Sequence, residues 1–562
     1  MRQIVYFTFL VSMVAGSLLA QPKIGSVVNN ASYLTPPTDS NNKPIGNDVI
    51  AQGSIFTIFG TDLGPTTLTY PAGLPLPTSV PAANGTSISI SSGGQNVSAY
   101  IIYTSALQVG AILPSTTVVG TAKVTVTYNG QTSAAYTISV AQSRVGVFTA
   151  NNQGSGPAAA QHGTGNTPLL LTKAAHPGET IIVYATGLGP ISGPDNVAPG
   201  TVSVGSNVTV NIAGQVVTPT YAGRAPSFAG QDQINFVIPA KASLGCYIPV
   251  EISEGGQASN AFTIPIANGD VCTHPLGLGA EALAKLDAGN NVNAGVFLML
   301  TAVLEGVAAQ GAGGGFLNAD ANAAFQLFDQ ILVAFGGYPY PVAAGSCAVQ
   351  DIIQPAAGFN VPDFGTLGGT ILDAGLAVNL AGSNGNSQVL LAVPKTGGYL
   401  STFFDTLGQG SWTVSGTGGK DIGVFNGSTN LPDNLVWSNA GNFSSLPASA
   451  LTITWSGGNL NSQSLVTIFG SSMVVNPTDP SKTRGAQFYC NAPASAGSFV
   501  VPGSVVSQLP ASSSSGGEVS FGQLGIYSGN GSTFTAPLVS GATFDGAYFA
   551  YGEAQTISVT FQ

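Results

Sequence analysis

Histidines, which serve as acid–base groups in many enzymes, are sparse in this sequence of 562 residues. Its three histidines, His162, His176 and His274, form no HExxH motif or other close pair, so their spacing does not fit a zinc site. The Gly-x-Ser-x-Gly elbow, the commonest signature of serine hydrolases, is missing. We therefore expect structural or solvated roles for these histidines.

Carboxylates are the next candidates for chemistry. Asp405, Asp421 and Asp433 are among 24 acidic residues and fall at the ends of predicted strands or in turns. A glycosidase needs two carboxyl groups about 5–10 Å apart, and a sequence alone does not exclude such a pair. Aspartate is also a common turn residue, because its side chain bonds the nearby backbone. The turn interpretation is favoured, and no catalytic residue is predicted.

Three tryptophans offer binding chemistry instead. Trp412, Trp437 and Trp455 fall on predicted strands of the C-terminal region. On an exposed sheet face their rings could stack on sugars, whereas most large aromatic residues on strands belong to a core. Core packing is the favoured interpretation, and stacking on a ligand is the alternative.

Oxygen-bearing side chains alternate in two short segments, 287–293 and 318–322. Such an alternation is typical of calcium loops, but neither segment has the full twelve-residue loop with its terminal glutamate. Capping of a helix explains the second segment equally well. Calcium is therefore the one cofactor left open, and no other cofactor or metal site is predicted.

A stretch of the chain occurs twice. Residues 53–65 recur as 178–190, the prolines at 114 and 239 keep the same offset of 125, and Gly130–Ala141 recurs one residue out of step as Gly256–Ala267. Matches in register over this length indicate a duplicated domain. Short β-branched and aromatic runs, and a hairpin with Asn129-Gly130 at its turn, predict that each copy is a β-sandwich.

The motifs carry a family resemblance. A strand ending in Leu-Gly-Pro, then Gly230-Gln-Asp-Gln-Ile-Asn-Phe-Val-Ile-Pro239, then Gly-Gln-x-Ser, resembles the secreted immunoglobulin-like domain abundant in Acidobacteria of the Solibacter group. Asn29-Asn-Ala-Ser-Tyr33 resembles the opening of that domain, so that the resemblance covers residues 24–268. It implies a sandwich in a secreted or surface setting, and it supplies no enzymatic activity or mechanism to carry over to this chain. The first copy departs from the pattern, with Ser105-Ala-Leu-Gln-Val-Gly in place of Gln-Asp-Gln-Ile-Asn.

The N-terminus predicts export. Arg2 precedes an apolar run over residues 4–15 and small residues up to Ala20, the pattern of a bacterial secretory signal cut after that residue. The run is shorter than the roughly 20 residues of a membrane span, and no later span is expected. Charged residues make up 7% of the chain, whose net charge of −11 and scattered basic residues argue against nucleic acid or an anionic membrane as partner.

Four cysteines in an exported chain predict two disulfide bonds among three possible connectivities. Cys246–Cys272 is preferred because both residues flank the last hairpin of the second copy. That choice leaves Cys347–Cys490, which would tie two C-terminal regions together.

The sequence thus predicts a mainly β fold of tandem immunoglobulin-like β-sandwiches followed by a C-terminal β-rich region with a short helical insertion. Apolar residues at helical spacing predict the helix near 319–335, with a glycine-rich loop at 311–315 before it. Segment 292–304 could be strand or helix. The expected parts are a signal peptide (1–20), two repeats (21–146 and 147–272), a β domain with the helix (273–445) and a C-terminal β-sandwich (446–562).

These features favour a secreted, non-enzymatic surface or extracellular-matrix protein with an adhesive, binding or structural role. Its partner would be an extracellular polymer, a glycan or a protein. One alternative is a protein that binds or cleaves carbohydrate with the C-terminal tryptophans and aspartates. A second is a surface fibre that self-associates by strand addition.

Overall fold

The computed structural model is mainly β, as the sequence predicts. All but the last residue of the expected signal peptide, and also Asp405, lie outside the described residues. The described residues are 20–36, 46–81, 83–205, 207–275, 277–304, 307–334, 344–352, 367, 369–393, 398–401, 407–458, 464–478, 483–512 and 518–562.

Repeat 1, residues 21–146, is a sandwich of two sheets. One sheet has the order β1-β3-β8-β7, and the other has the order β2-β11-β9-β5-β4, with β6 beside β5 and β10 beside β9. The strands are β1 Lys23–Asn29, β2 Asp48–Ala51, β3 Ile55–Thr61, β4 Ser79–Val80, β5 Thr86–Ser92, β6 Gln95–Ser98, β7 Tyr100–Thr104, β8 Gln108–Ile112, β9 Gly120–Tyr128, β10 Gln131–Thr132 and β11 Tyr136–Ala141.

Alternation along the strands builds the core of repeat 1. Phe56 and Ile58 of β3 point inward and pack with Val124 and Val126 of β9 on the facing sheet. β2 pairs in parallel with β11, whereas β1 pairs antiparallel with β3. The first part of the chain therefore contributes to both sheets, as in immunoglobulin-like sandwiches.

Repeat 2, residues 147–272, has the same plan. Its sheets have the orders β12-β15-β20-β19-β16 and β13-β23-β21-β17-β18, and β13 pairs in parallel with β23. The strands are β12 Gly146–Val147, β13 Gly156–Pro157, β14 Ala160–His162, β15 Thr180–Thr186, β16 Val202–Ser203, β17 Thr209–Ile212, β18 Gln215–Val217, β19 Tyr221–Arg224, β20 Asp232–Val237, β21 Gly245–Glu254, β22 Gln257–Ala258 and β23 Phe262–Ile266. The sequence repeat thus corresponds to a repeat of the strand topology.

The C-terminal region is built on one large sheet. Thirteen described strands follow the order β26-β37-β36-β39-β40-β24-β25-β30-β29-β28-β31-β32, with β27 beside β25. Its elements are α1 Ala280–Asp287, β24 Val292–Leu304, β25 Val307–Ala319, α2 Ala321–Ala334, β26 Ser346–Asp351, β27 Thr370–Leu372, β28 Ala377–Gly382, β29 Ser387–Ala392, β30 Tyr399–Ser401, β31 Gly410–Gly416, β32 Phe425–Leu431, β33 Val436–Trp437, β34 Ser445–Leu446, β35 Leu451–Ser456, β36 Leu465–Val475, β37 Arg484–Pro493, β38 Ser498–Val501, α3 Gly503–Val506, β39 Val519–Phe534, β40 Gly546–Ser558 and β41 Thr560–Phe561.

This sheet contradicts the expected boundary near 445. β24 pairs in parallel with β40 from Ala294 to Leu304, so residues of both expected C-terminal domains share one sheet. The pairing joins segments about 250 residues apart, and the sequence pattern of a single segment does not indicate such a contact. The C-terminal region is therefore one unit in which a single sheet carries cores on both of its faces.

Segment 292–304 is a strand, and the predicted glycine loop lies inside the next strand, β25. Phe297 and Phe316 explain this difference, because their rings lie 5.4 Å apart and occupy the space beside the glycines. A side chain at Gly314 would overlap Phe297. The glycines therefore make room for aromatic rings in the sheet instead of breaking it.

The helical insertion is α2, close to its predicted bounds. Asp320 caps it, since its Oδ1 accepts the backbone N–H of Ala323 at 2.8 Å. The short helix α1 was not predicted, and Lys285 on it pairs with Asp545 at 2.8 Å. Among the described residues, no helix combines the length and the apolar character needed to cross a membrane.

Both preferred disulfide bonds are formed, Cys246–Cys272 and Cys347–Cys490. Cys347 of β26 and Cys490 of β37 lie directly opposite each other. The free side of β26 faces repeat 2, where Asn211 donates its amide N–H to the carbonyl of Val349 at 2.7 Å. This contact covers one edge of the large sheet and works against strand addition there.

His274 lies buried beside the Cys246–Cys272 disulfide bond. Its burial predicts that acid destabilises the folded protein. Burial lowers the pKa of His274 to about 3, and its ring packs edge-on against Tyr247 with centroids 5.3 Å apart. The unfolded chain binds this proton below about pH 6.5. Stability is therefore fully present above that pH and is lost as the pH falls toward 3, by up to about 1.4 kcal/mol per pH unit.

A His274→Gln variant tests this expectation. We expect the free energy of unfolding of the wild type to fall more steeply between pH 6.5 and 4 than that of the variant. Urea titrations across this range measure both slopes. Equal slopes would show that His274 does not contribute to the acid sensitivity.

Candidate ligand cleft between the two repeats

The three tryptophans proposed for stacking are all buried. Trp412 is 1% exposed and lies in a core formed by side chains of the large sheet. Trp437 and Trp455 pack in a second core of the C-terminal region. Each indole N–H also has a partner within the protein, such as the carbonyl of Gly408 for Trp412 at 2.9 Å. The stacking alternative is corrected, because each indole lies on the inward face of its strand, where burial alternates with exposure along the strand.

The aspartates bind backbone groups or lie in turns, whereas asparagines of the two alternating segments bind one another, as Asn318 does with Asn291 and Asn293. Asp421 accepts the N–H of Asp373 at 3.0 Å, and Asp433 lies exposed in a turn. Asp287 accepts the backbone N–H groups of Leu171 and Thr172 at 2.9 and 2.8 Å, which joins α1 to repeat 2. These side chains are thus engaged in turns and element ends, and a calcium site remains a prediction.

Two of the histidines meet at a carboxylate. His162 lies 2.5 Å from Glu179, whose other oxygen accepts the backbone N–H of His176 at 3.0 Å. Partial burial acts to raise the pKa of Glu179, but these hydrogen bonds outweigh it and lower the pKa. The arrangement ties the end of β14 to the turn that precedes β15.

An ion pair at the junction of the repeats is the most buried charge interaction among the described residues. Arg224 and Asp232 of repeat 2 are in contact and are 1% and 0% exposed. Arg224 also donates to the carbonyl oxygens of Gly189 at 2.7 Å and Gly53 at 3.2 Å. Gly53 belongs to repeat 1 and has a φ of +69°, where a side chain would collide with the guanidinium. The motif glycines thus let the two repeats approach closely.

Other polar contacts complete the junction. Asp195 of repeat 2 accepts hydrogen bonds from both the N–H and the hydroxyl of Ser115 in repeat 1, each at 2.7 Å. The N–H of Ile55 in repeat 1 donates to the hydroxyl of Thr186 in repeat 2 at 2.8 Å. Because these groups are buried, losing any of them leaves an unsatisfied partner. The junction therefore holds the repeats in one arrangement.

The cleft lies beside this junction and has a volume of about 540 Å³. Both repeats supply its walls, and its residues are mostly aliphatic and aromatic with a few amides and one serine. The lining residues are Ile55, Leu74, Leu76, Ile102, Phe148, Gln161, Tyr184, Ser227, Phe228, Ala229 and Gln231. Ligand sites commonly form at such domain boundaries.

None of the described lining residues is charged. Phe228 stands at the rim with 59% of its surface exposed, and Phe148 packs deeper against Ile55. The hydroxyl of Tyr184 donates to the side-chain carbonyl of Gln161 at 3.0 Å, which orients the Gln161 amide N–H away from that bond. The cleft thus offers apolar rings and neutral hydrogen-bonding groups. It suits an uncharged ligand that has both apolar faces and hydroxyl or amide groups.

A second cavity, of about 410 Å³, lies in the C-terminal region. Four serines, Ser471, Ser512, Ser520 and Ser558, contribute to its walls, and Phe521 is its aromatic residue. It joins no separate units and offers one ring for stacking. The cleft between the repeats is therefore the stronger candidate.

Sequence reasoning missed this cleft, although one signal pointed to it. The second copy has Asp232 where the first copy has Leu107, and Leu107 is 65% exposed. Asp232 pairs with Arg224, which in turn donates to the carbonyl of Gly53 in repeat 1, so this position takes part in the junction. The departure of the first copy from its family pattern thus marks the position of the junction.

The fold defines the class of protein: tandem immunoglobulin-like β-sandwiches joined to a larger β unit. The sequence matches no protein-family model, and no curated protein matches it. Among solved structures, Gamma-CGTase from alkalophilic Bacillus clarkii is 11% identical with a TM-score of 0.14, and the match covers 44% of this chain and 27% of that chain.

Two further solved structures are similar at the same level. Domains 5–6 of the S-layer protein SbsC are 12% identical, with 44% of this chain and 99% of that chain covered and a TM-score of 0.16. SGBP-B from a xyloglucan utilization locus in Bacteroides uniformis is 10% identical, with 96% and 100% covered and a TM-score of 0.16. TM-scores this low support no statement about function.

Proposed function

We propose that this chain is a secreted, non-enzymatic binding protein of the cell surface or extracellular matrix, and that it holds a segment of a neutral glycan in the cleft between its repeats. The observation that carries the proposal is the uncharged cleft with aromatic and amide walls, set beside a polar junction. Membership of the Solibacter-type domain family belongs to the same proposal. The two disulfide bonds support an oxidising, extracellular setting.

The chemistry of the lining favours a neutral sugar over other ligands. One face of a sugar ring is apolar and packs on aromatic rings such as Phe228, while the hydroxyls at its edge suit amides such as Gln161 and Gln231. A net charge of −11 disfavours anionic polymers. Binding without turnover is proposed because the described lining has no carboxylate, histidine or cysteine to act as acid, base or nucleophile.

A Phe228→Ala variant of the full chain tests this function. We expect binding to the neutral polysaccharides of a glycan array to weaken about tenfold, the effect of removing one exposed aromatic contact at a binding site. Isothermal titration calorimetry on the array hits measures the change. The side chain is exposed, so folding should be unaffected.

Val216→Ala is the matched control, since Val216 is 64% exposed but lies on β18, outside the cleft. It should bind like the wild type. A wild type that binds no neutral polysaccharide, or a Phe228→Ala variant that binds as tightly as the wild type, would refute the proposal.

A further inference from the structure

An aromatic shelf lies on the outer face of repeat 1, formed by Tyr33, Phe59, Tyr70 and Tyr103. The rings of Tyr33 and Phe59 have centroids 6.3 Å apart, and those of Tyr70 and Tyr103 are 6.4 Å apart. Tyr70 is 61% exposed, and the other three rings are half-buried. Four rings on one sheet face leave a surface that the core does not use.

The shelf continues the cleft. Side chains alternate along β3, so Phe56 and Ile58 enter the core while Ile55 and Phe59 point outward. Ile55 forms part of the cleft wall. Phe59 follows four residues later on the same face, roughly 13 Å further along the strand. Cleft and shelf together are therefore longer than a single sugar ring requires.

Hydrogen bonds and close packing hold the shelf in place. The hydroxyl of Thr57 accepts the amide N–H of Asn30 at 2.6 Å and lies 3.4 Å from the hydroxyl of Tyr103. The ring of Tyr103 covers Gly110, where any side chain would overlap it. Rings fixed before binding lose little entropy when a ligand arrives, which favours recognition.

The backbone supports the same conclusion at Tyr33. This residue has a φ of +51°, a conformation that is uncommon for a bulky side chain. Its N–H donates to the carbonyl of Asn29 at 3.0 Å, and the side-chain oxygen of Asn29 accepts the N–H groups of Ala31 and Ser32. The opening motif of the repeat is thus a turn that places Tyr33 beside Phe59. Backbone strain of this kind is concentrated at functional positions.

We propose that the shelf and the cleft form one track for a linear neutral polysaccharide, so that the ligand is a chain and not a free small sugar. This inference rests on the proposed function and specifies its ligand. The end of the chain occupies the cleft, and the following sugar units stack on Tyr103, Tyr70 and Phe59. Affinity should therefore rise with the length of the saccharide.

Calorimetric titrations of the full chain with cello-, manno- and xylo-oligosaccharides, from disaccharide to hexasaccharide, test the track. We expect the wild type to bind the hexasaccharide of its preferred series at least about tenfold more tightly than the disaccharide. A Tyr70→Ala/Tyr103→Ala variant should lose that gain and keep the affinity for the disaccharide. Tyr128→Ala, a half-exposed tyrosine on the opposite sheet, is the matched control and should leave both affinities unchanged.

The outcomes separate the two proposals. If Phe228→Ala weakens binding at every length but disaccharide and hexasaccharide bind equally, or the shelf variant keeps the length dependence, the track is refuted and the cleft stands. If Phe228→Ala changes nothing while the shelf variant still removes binding, the cleft is refuted, and the track that includes it is refuted with it. If no saccharide in the three series binds, both proposals are overturned.

Discussion

Replacing Arg224 with methionine should destabilise repeat 2 by about 3–5 kcal/mol, because it leaves Asp232 as an uncompensated buried charge. The same change removes the hydrogen bonds to Gly189 and to Gly53 across the junction. Hydrogen exchange in strands β15 and β20 measures the loss, since it reports the opening of repeat 2 separately from the rest of the chain. Protection in these strands should fall by two orders of magnitude or more.

Two variants control this result. Arg484→Met removes an exposed cation that lies 3.5 Å from Glu518, and it should cost no more than about 1 kcal/mol. An Arg224→Met/Asp232→Leu double variant should be more stable than Arg224→Met alone, because neither charge is then buried without a partner. A single variant as stable as the wild type, or a double variant less stable than the single one, would contradict this view of the junction.

Loss of the Cys347–Cys490 disulfide bond has the second large expected effect. The bond joins residues 143 apart in the sequence, and in the chain-entropy model a link across a loop of that order restricts the unfolded chain by nearly 5 kcal/mol, although measured losses run at about 2–5 kcal/mol. Urea unfolding of a Cys347→Ala/Cys490→Ala variant measures it. Replacing both cysteines avoids a free thiol.

The Cys246–Cys272 bond gives the matched comparison. It closes a separation of 26 residues, for which the same model gives about 3 kcal/mol. The Cys246→Ala/Cys272→Ala variant should therefore lose less stability than the Cys347→Ala/Cys490→Ala variant. The reverse order would mean that the native packing around each bond, and not the restriction of the unfolded chain, decides its contribution.

Features that depend on neighbouring residues could be predicted from the sequence. The alternation in strands such as β9 predicted β structure, the spacing of apolar residues near 319–335 predicted α2, and the offset of 125 predicted two copies of one topology. The disulfide pairing followed because Cys246 and Cys272 flank one hairpin. In each case the information lies within one element or one repeat.

Apart from Cys347–Cys490, which remained once Cys246 and Cys272 were paired, predictions that required distant contacts were wrong or were not made. The boundary near 445 failed because β24 pairs with β40, and the stacking alternative failed because Trp412 lies on the buried face of β31. The pattern of a strand shows which side chains share a face of the sheet, but it does not show what covers that face.

The amino-acid pattern alone therefore determined a duplicated β chain with two disulfide bonds, since strand alternation, turn residues and cysteine positions are local properties. The cleft required the folded chain, because Ile55 and Phe228 come from different repeats and meet only once Arg224 and Asp195 have joined those repeats. These polar groups contribute strongly to stability because they are buried inside that junction, and burial is a property of the packed molecule.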